Sequence, residues 1–197
     1  MEESPVARIA MPVVRFCALA CGWWLLAFSA LTCLDVIGRK LFNITLQGTD
    51  EIGGYTMAVI SAVGFSLALL SRAHTRIDIA MNIMSAHGRA ILNTIAALTI
   101  ALMAAYGAWR GWAVLKESLD LRSVSNSPLQ IPMWIPQGLW LAGLILFACV
   151  AIFAAVHAVR LLFADPRKVD VLYGPPTVRE EIDASGVGST GEGDRRP

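Results

Sequence analysis

Four long apolar segments constrain the fold of this chain more than any other feature of its sequence. They cover about residues 13–34, 52–70, 90–109 and 135–159. Each is close to the ~20 residues that a helix needs to cross a ~30 Å hydrocarbon core. Helices are expected because lipid offers backbone amides no hydrogen-bond partner. With 56% hydrophobic and 16% charged residues, the chain is predicted to be an all-α integral membrane protein. The four transmembrane helices are expected at about 13–37, 50–70, 89–113 and 135–163.

A cleaved signal peptide is the alternative for the first segment, since AFSA at 27–30 matches a small-residue cleavage pattern. The apolar stretch is, however, longer than the usual signal core, and Glu2 and Glu3 weaken the basic flank that such a signal carries. We therefore predict that the first segment is a membrane helix.

The distribution of lysine and arginine predicts the orientation, because cytoplasmic flanks carry an excess of these residues. If both termini are cytoplasmic, the cytoplasmic flanks hold Arg8, Arg15, Arg72, Arg76, Arg89, Arg160, Arg167 and Lys168. The opposite flanks hold the smaller set Arg39, Lys40, Arg110, Lys116 and Arg122. We expect a multi-pass protein of a bacterial inner membrane, with residues 1–12 as a cytoplasmic segment, 13–163 as the membrane domain and 164–197 as a polar, disordered cytoplasmic tail.

The connections between the helices also carry patterns. Helical spacing predicts a short amphipathic helix in the inner interface, with its apolar residues at Ile77, Ala80, Met81 and Met84. Leu115 and Leu119 continue the phase of helix three, so this helix is expected to extend outward as an arm. Three prolines are then expected to stop the arm and to set an extended approach to helix four: Pro128, Pro132 and Pro136.

Small side chains line one face of helix three and predict close packing, because small residues let helix backbones approach in lipid. The stripe comprises Ala90, Thr94, Ala97, Ala101, Ala104, Ala108 and Gly111. Helix two has a shorter stripe of Gly54, Ala58 and Ala62. The sequence leaves open whether the partner of these stripes is this chain or another. Trp23 and Trp24 lie inside the first segment rather than at its ends, so they are predicted to pack against protein.

No catalytic, cofactor or metal site is predicted. A haem would need two facing histidines at membrane depth, but His74 and His87 fall in a connection and only His157 lies near a helix. The four cysteines lie in apolar segments without a C-x-x-C pair, and the motifs of hydrolases, zinc proteases and phosphate loops are missing. Ionisable residues occur only at segment ends, whereas an ion path is expected to hold them at membrane depth. The chain is therefore not expected to be an enzyme.

The stretch GTDEIGGY, residues 48–55, places two carboxylates at the start of the second apolar segment. Thr49 is a candidate N-cap, with Asp50 and Glu51 in the first turn, where the positive end of the helix dipole favours anions. Glu51 lies one step deeper than Asp50 and is alternatively expected to pair with a cation on a neighbouring helix. Both readings are structural.

Residues 38–79, GRKLFNITLQGTDEIGGYTMAVISAVGFSLALLSRAHTRIDI, resemble the signature region of the DctQ-type small membrane subunit of tripartite ATP-independent periplasmic (TRAP) transporters. In that family a helix begins with a Glu and ends in an Arg, which a His-x-x-x-Asp pattern follows. The matching residues here are Glu51, Arg72, His74 and Asp78. The later SNSPLQIPMWIPQG resembles the family's outer loop, with Pro132 before helix four. The resemblance covers about residues 13–163 and departs from the family in the tail after Pro166.

The resemblance implies an accessory subunit without a cofactor, in which sodium coupling belongs to a partner. Its implied partners are a large membrane subunit, a periplasmic binding protein that delivers a carboxylate-bearing solute, and membrane lipid, but no nucleic acid. The main alternative is an autonomous four-helix exporter that exchanges protons through Glu51 or Asp35. A haem- or quinone-linked redox subunit is a second alternative, and it lacks the ligands. The sequence does not name the solute.

Overall fold

The computed structural model describes residues 5–71 and 85–173. These residues form five helices, α1 (Pro5–Phe42), α2 (Thr49–Leu70), α3 (Ala86–Asp120), α4 (Trp134–Ala164) and α5 (Pro166–Tyr173). The first four are long and apolar enough to cross a membrane. Within the described ranges there is no strand, and a single isolated bridge joins Val124 to Pro132. The predicted all-α fold with four membrane-spanning helices is confirmed.

The helices run further than the apolar segments alone indicated. α1 begins at Pro5 rather than at 13 and ends at Phe42 rather than at 37. α3 continues to Asp120, so the predicted outward arm is helical. Pro136 lies within the first turn of α4 and does not precede the helix as expected. The first turn tolerates proline because its N–H groups have no intrahelical acceptor.

The packing order of the long helices is α1, α2, α4, α3. In the most apolar window of each helix, 44% of the residues are buried in α4, 33% in α3, 22% in α2 and 0% in α1. α4 is thus the centre of the bundle, and α1 is a peripheral helix held mainly by α2. We call the end of the bundle where α1 ends and α2 begins the carboxylate end, because it holds Asp35 and Glu51. The other end, which carries α5, is the α5 end.

The small-residue stripe of α3 packs against α4 of the same chain. Ala97, Ala101 and Ala104 are all buried. They form one core cluster with alanines of α4, namely Ala148, Ala151, Ala155 and Ala158. Matching rows of alanine let the two backbones approach closely and gain dispersion contact. The sequence left open whether this stripe packs against its own chain or another one. In the structure its partner is α4 of the same chain.

α2 approaches α4 most closely at Gly143. A Cβ atom added to Gly143 would lie 2.8 Å from Cβ of Ala62 and 3.3 Å from the backbone nitrogen of Val63. Only a glycine fits this contact without displacing a helix. One turn further along, the rings of Phe65 and Phe147 lie 5.6 Å apart, between centroids, and continue the contact between the two helices. Of the predicted α2 stripe, Ala62 is buried, whereas Gly54 and Ala58 are exposed.

α1 contacts α2 through larger side chains. The indole N–H of Trp24 donates a hydrogen bond to Oγ1 of Thr56 over 3.0 Å. The ring of Phe28 lies against Gly53. Trp23, by contrast, is 71% exposed, so the expectation that both tryptophans pack against protein is wrong for Trp23 within this chain. The α1 face that carries Trp23 is left open along most of its length.

α5 lies in the segment that the sequence assigned to the tail. Val169 and Leu172 are buried, and α5 packs against both α3 and α4. His157 on α4 and the hydroxyl of Tyr173 are hydrogen-bonded over 2.7 Å. Pro166 is the first residue of this helix, whereas the sequence predicts a disordered tail from residue 164 onward. The predicted amphipathic helix around 77–84 and the tail beyond Tyr173 lie outside the described residues.

Candidate functional site

Asp35 fastens the end of α1 to the connection that follows it. Its side chain is almost fully buried, at 2% exposure. One carboxylate oxygen accepts a hydrogen bond from Nη2 of Arg39 at 2.6 Å, one turn further along α1. The other accepts from the backbone N–H of Leu46 at 2.7 Å. Both oxygens are therefore engaged by groups of the same chain. The connection is further closed by the N–H of Ile44, which donates to the carbonyl of Gly38.

Glu51 lies in the first turn of α2, as predicted. The hydroxyl of Tyr55, one turn later, donates to Oε1 of Glu51. The same hydroxyl lies 3.3 Å from the sulfur of Met133, at the start of α4. The hydroxyls of Ser125 and Ser127 approach the carboxylate from the connection between α3 and α4. No hydrogen bond of normal geometry reaches the buried Oε2 atom from the described residues.

These contacts decide between the two structural readings of Glu51. Its carboxylate is surrounded by neutral hydroxyls of Tyr55, Ser125 and Ser127. Among the described residues, a salt bridge joins Asp35 to Arg39, and none is found for Glu51. Glu51 therefore does not pair with a cation of the described helices, and it joins the beginning of α2 to the 121–133 connection instead.

The 121–133 connection is folded tightly on itself. The N–H of Ser125 donates to the carbonyl of Ile131 at 2.9 Å, and the N–H of Met133 donates to the carbonyl of Ser123 at 3.0 Å. Pro132 sits in the isolated bridge with Val124. Its carbonyl accepts a hydrogen bond from the N–H of Ile135, the second residue of α4. Pro132 thus places the connection over the carboxylate end, where Ser125 and Ser127 meet Glu51.

Gly48, rather than Thr49, precedes the first residue of α2. Its φ of 86° is in the left-handed region, which favours glycine. The predicted N-cap role of Thr49 is wrong: Thr49 is the first helical residue, and its hydroxyl donates to the carbonyl of Leu46. A Cβ atom on Gly48 would lie 1.9 Å from Cδ1 of Leu129, because the 121–133 connection presses on this turn.

Replacing Gly48 by alanine is expected to destabilise the carboxylate end. The left-handed backbone costs a residue with a Cβ about 1–2 kcal/mol, and Leu129 must also move. We expect a lower melting temperature for the detergent-solubilised full-length chain. Gly54→Ala is the matched control, because a Cβ there meets no atom within 4 Å. Equal melting temperatures for the two variants would contradict the contact with Leu129.

An apolar groove of ≈ 530 Å³ lies beside the polar cluster, between α1, α2 and α4. Trp24, Tyr55, Ile60, Ile135 and Leu139 are among the side chains that line it. No lysine, arginine or histidine lines the groove. A solute with a carboxylate would therefore lose its hydration there without gaining a charged partner. Among the described residues, this groove is not a site for such a solute.

The polar groups buried further along the bundle are neutral. Ser66, Asn93 and Thr94 are each at most 3% exposed. The hydroxyl of Thr94 donates to the carbonyl of Ala90, one turn earlier in α3. In the described part of the chain no group of three or more His, Cys, Asp or Glu side chains could hold a metal ion. The residues described thus offer no charged path through the bundle.

The predicted site residues fall into three places. Glu51 lies at the carboxylate end, Pro132 lies in the 121–133 connection whose Ser125 and Ser127 approach Glu51, and Ala97, Ala101 and Ala104 lie in the core between α3 and α4. Arg72, His74 and Asp78 lie outside the described residues. Sequence reasoning missed Tyr55, which could have been found from its position one helical turn after Glu51. It also missed Ser125 and Ser127, whose approach to Glu51 depends on the fold of a distant connection.

The fold and these contacts define a multi-pass membrane protein in which Asp35 and Glu51 hold connections at one end of the bundle. A family model, "Tripartite ATP-independent periplasmic transporters, DctQ component", matches residues 28–163, which is more than half of the chain. The chain therefore belongs to the DctQ family, the small permease component of TRAP transporters. No curated protein and no solved structure matches it significantly.

Proposed function

We propose that this chain is the accessory subunit that braces the large membrane subunit of a TRAP transporter. The large subunit would import a carboxylate-bearing solute, delivered by a periplasmic binding protein and driven by a sodium gradient. Family membership supports the role in transport. The observation that carries the accessory role is that both carboxylates hold connections: Asp35 binds the backbone N–H of Leu46 after α1, and Glu51 at the start of α2 is approached by Ser125 and Ser127 of the 121–133 connection.

The autonomous exporter is not supported by this arrangement. Such an exporter needs a carboxylate near the middle of the membrane that can gain and lose a proton. Asp35 is held by Arg39 and by the Leu46 N–H, about two turns from the end of α1. Glu51 is in the first turn of α2. Neither carboxylate is placed for a proton path through the bundle.

The proposed setting is the inner membrane of a bacterium, with both chain termini in the cytoplasm. The lysine and arginine distribution supports this orientation. The carboxylate end would then face the periplasm, where the binding protein arrives. The chain acts without a cofactor of its own in this proposal, and it is not an enzyme.

Glu51→Gln in the assembled transporter tests the accessory role. Glutamine keeps an oxygen that can accept the Tyr55 hydrogen bond but removes the charge. We expect a modest loss of complex yield and an unchanged dependence of uptake on sodium concentration. Tyr55→Phe is the complementary variant, since it removes this hydrogen bond while leaving the charge of Glu51 in place, and it should also lower the yield of the complex.

The dependence of uptake on cation concentration distinguishes a structural role of Glu51 from a role in the ion path. A structural carboxylate changes how much complex survives purification, whereas a carboxylate on the ion path changes the number of ions moved per solute. A changed sodium or proton stoichiometry in Glu51→Gln would place Glu51 on the ion path and refute the proposal.

A further inference from the structure

A second groove, which is open to the membrane, runs along the uncovered face of α1. It has a volume of ≈ 770 Å³. α1 lines it from Met11 to Leu26, including Arg15, Ala18, Gly22 and Trp23, and Leu67 of α2 lines it as well. Arg15 makes no ion pair or hydrogen bond with the described residues. The groove therefore combines a long apolar lining with one cation that is free to meet a ligand.

The depth of Arg15 follows from the contact between α1 and α2. Trp24 is level with Thr56, because the two side chains are hydrogen-bonded. The helices run in opposite directions, and Arg15 precedes Trp24 by nine residues, or about 13 Å of helix. Leu70, where α2 ends, follows Thr56 by about 21 Å. The Cα atom of Arg15 consequently lies roughly 8 Å deeper in the membrane than the end of α2. A long arginine side chain can extend from this depth to the membrane surface.

We propose that this groove binds one anionic phospholipid of the leaflet at the α5 end. The phosphate meets the guanidinium of Arg15, and one acyl chain lies over Ala18 and Gly22 between Leu67 and Trp23. Arginine suits this role because its planar group donates several hydrogen bonds to phosphate oxygens. Since the described groove holds no carboxylate side chain, the phosphate meets no repulsion there.

The part of the groove on the Leu26 side of Arg15 is close to the length of one leaflet, and Met11 lines the groove on the other side of Arg15. From Arg15 to Leu26 the helix rises about 16 Å, and half of a ~30 Å hydrocarbon core is about 15 Å. An acyl chain anchored at Arg15 therefore ends near Trp23 and Leu26. A helix of a partner subunit would not require a cation on its docking face. The charge and the length together favour the lipid.

Native mass spectrometry of the purified full-length chain tests this site. Dioleoylphosphatidylglycerol is the anionic probe, and dioleoylphosphatidylcholine is the zwitterionic probe with the same acyl chains. We expect the anionic lipid to bind more tightly. Arg15→Gln should weaken its binding about fivefold, the effect of one surface cation on an anionic lipid, while Arg15→Lys should restore most of it. Arg160→Gln is the control, since Arg160 is an exposed cation near the same end of the bundle and outside the groove.

A second pair of variants tests the apolar part of the groove. Gly22→Leu fills this part without an internal clash, because a Cβ there meets no atom within 4 Å. It should weaken binding of both lipids. Gly107→Leu on α3 is the matched control, since a Cβ at Gly107 also meets no atom within 4 Å.

Two results would overturn the proposal. One is wild-type affinity for phosphatidylglycerol in both Arg15→Gln and Gly22→Leu. The other is a Gly22→Leu variant that keeps its affinity for phosphatidylglycerol but no longer co-purifies with a larger membrane subunit. This second result would assign the groove to a protein helix.

Discussion

Ala101→Leu is expected to separate α3 from α4 and to destabilise the chain by about 1–3 kcal/mol, the usual effect of overpacking a well-filled core. Ala101 is 8% exposed and belongs to the alanine cluster between the two helices. A leucine at this position has no cavity to enter, so the backbones must move apart and lose dispersion contact along the whole stripe. The melting temperature of the full-length chain in detergent measures the effect.

The control for this prediction is Ala142→Leu on α4. Ala142 is exposed, so the same change in side-chain volume should be nearly silent there. Ala97→Leu should behave like Ala101→Leu, because both residues lie on the buried stripe. If Ala101→Leu melted like Ala142→Leu but lost its association with a larger subunit, the stripe would be a surface between chains, and the α3–α4 core would be wrong.

The number and type of the helices could be predicted because membrane spans obey a length and composition rule that is local in sequence. The partner of the α3 stripe could not be predicted. α4 carries its own small residues, Ala148, Ala151 and Ala155, but a row of alanines does not specify which other row it meets. Only the packing order, with α4 between α2 and α3, makes the match.

At the carboxylate end, too, some features could be predicted from the local sequence and others could not. Glu51 could be located from the sequence because acidic residues favour the first turn of a helix. The N-cap rule failed at Thr49 because the preceding Gly48 adopts a left-handed conformation under Leu129, which belongs to a connection far away in sequence. Rules based on neighbouring residues do not include such contacts.

α5 was missed for a different reason. A proline that follows a long apolar helix commonly marks the end of helical structure, so Pro166 is consistent with the predicted tail. Proline is equally suited to the first position of a new helix. The burial of Val169 and Leu172 against the bundle supports the short helix, and only the tertiary structure shows that a surface is present to bury them.

Vesicles that contain only this chain are expected to take up no solute, with or without a sodium gradient and the periplasmic binding protein. The physical reason is that the acidic side chains of the described spans all lie near helix ends. The most buried of them, Asp35, is held by Arg39 and the Leu46 N–H. The groove beside Tyr55 has no cation for a carboxylate-bearing solute.

The decisive comparison uses four sets of vesicles: empty, this chain alone, the large subunit alone, and both subunits together. Each set receives the binding protein loaded with a radiolabelled carboxylic acid, chosen beforehand by calorimetric titration of that protein. Uptake is expected only where the large subunit is present, and it should be greatest with both subunits, because a bracing subunit holds the static part of its partner in place. Gradient-driven uptake by this chain alone would refute the accessory role, since it would require a complete solute and ion path in a bundle whose described carboxylates lie near helix ends.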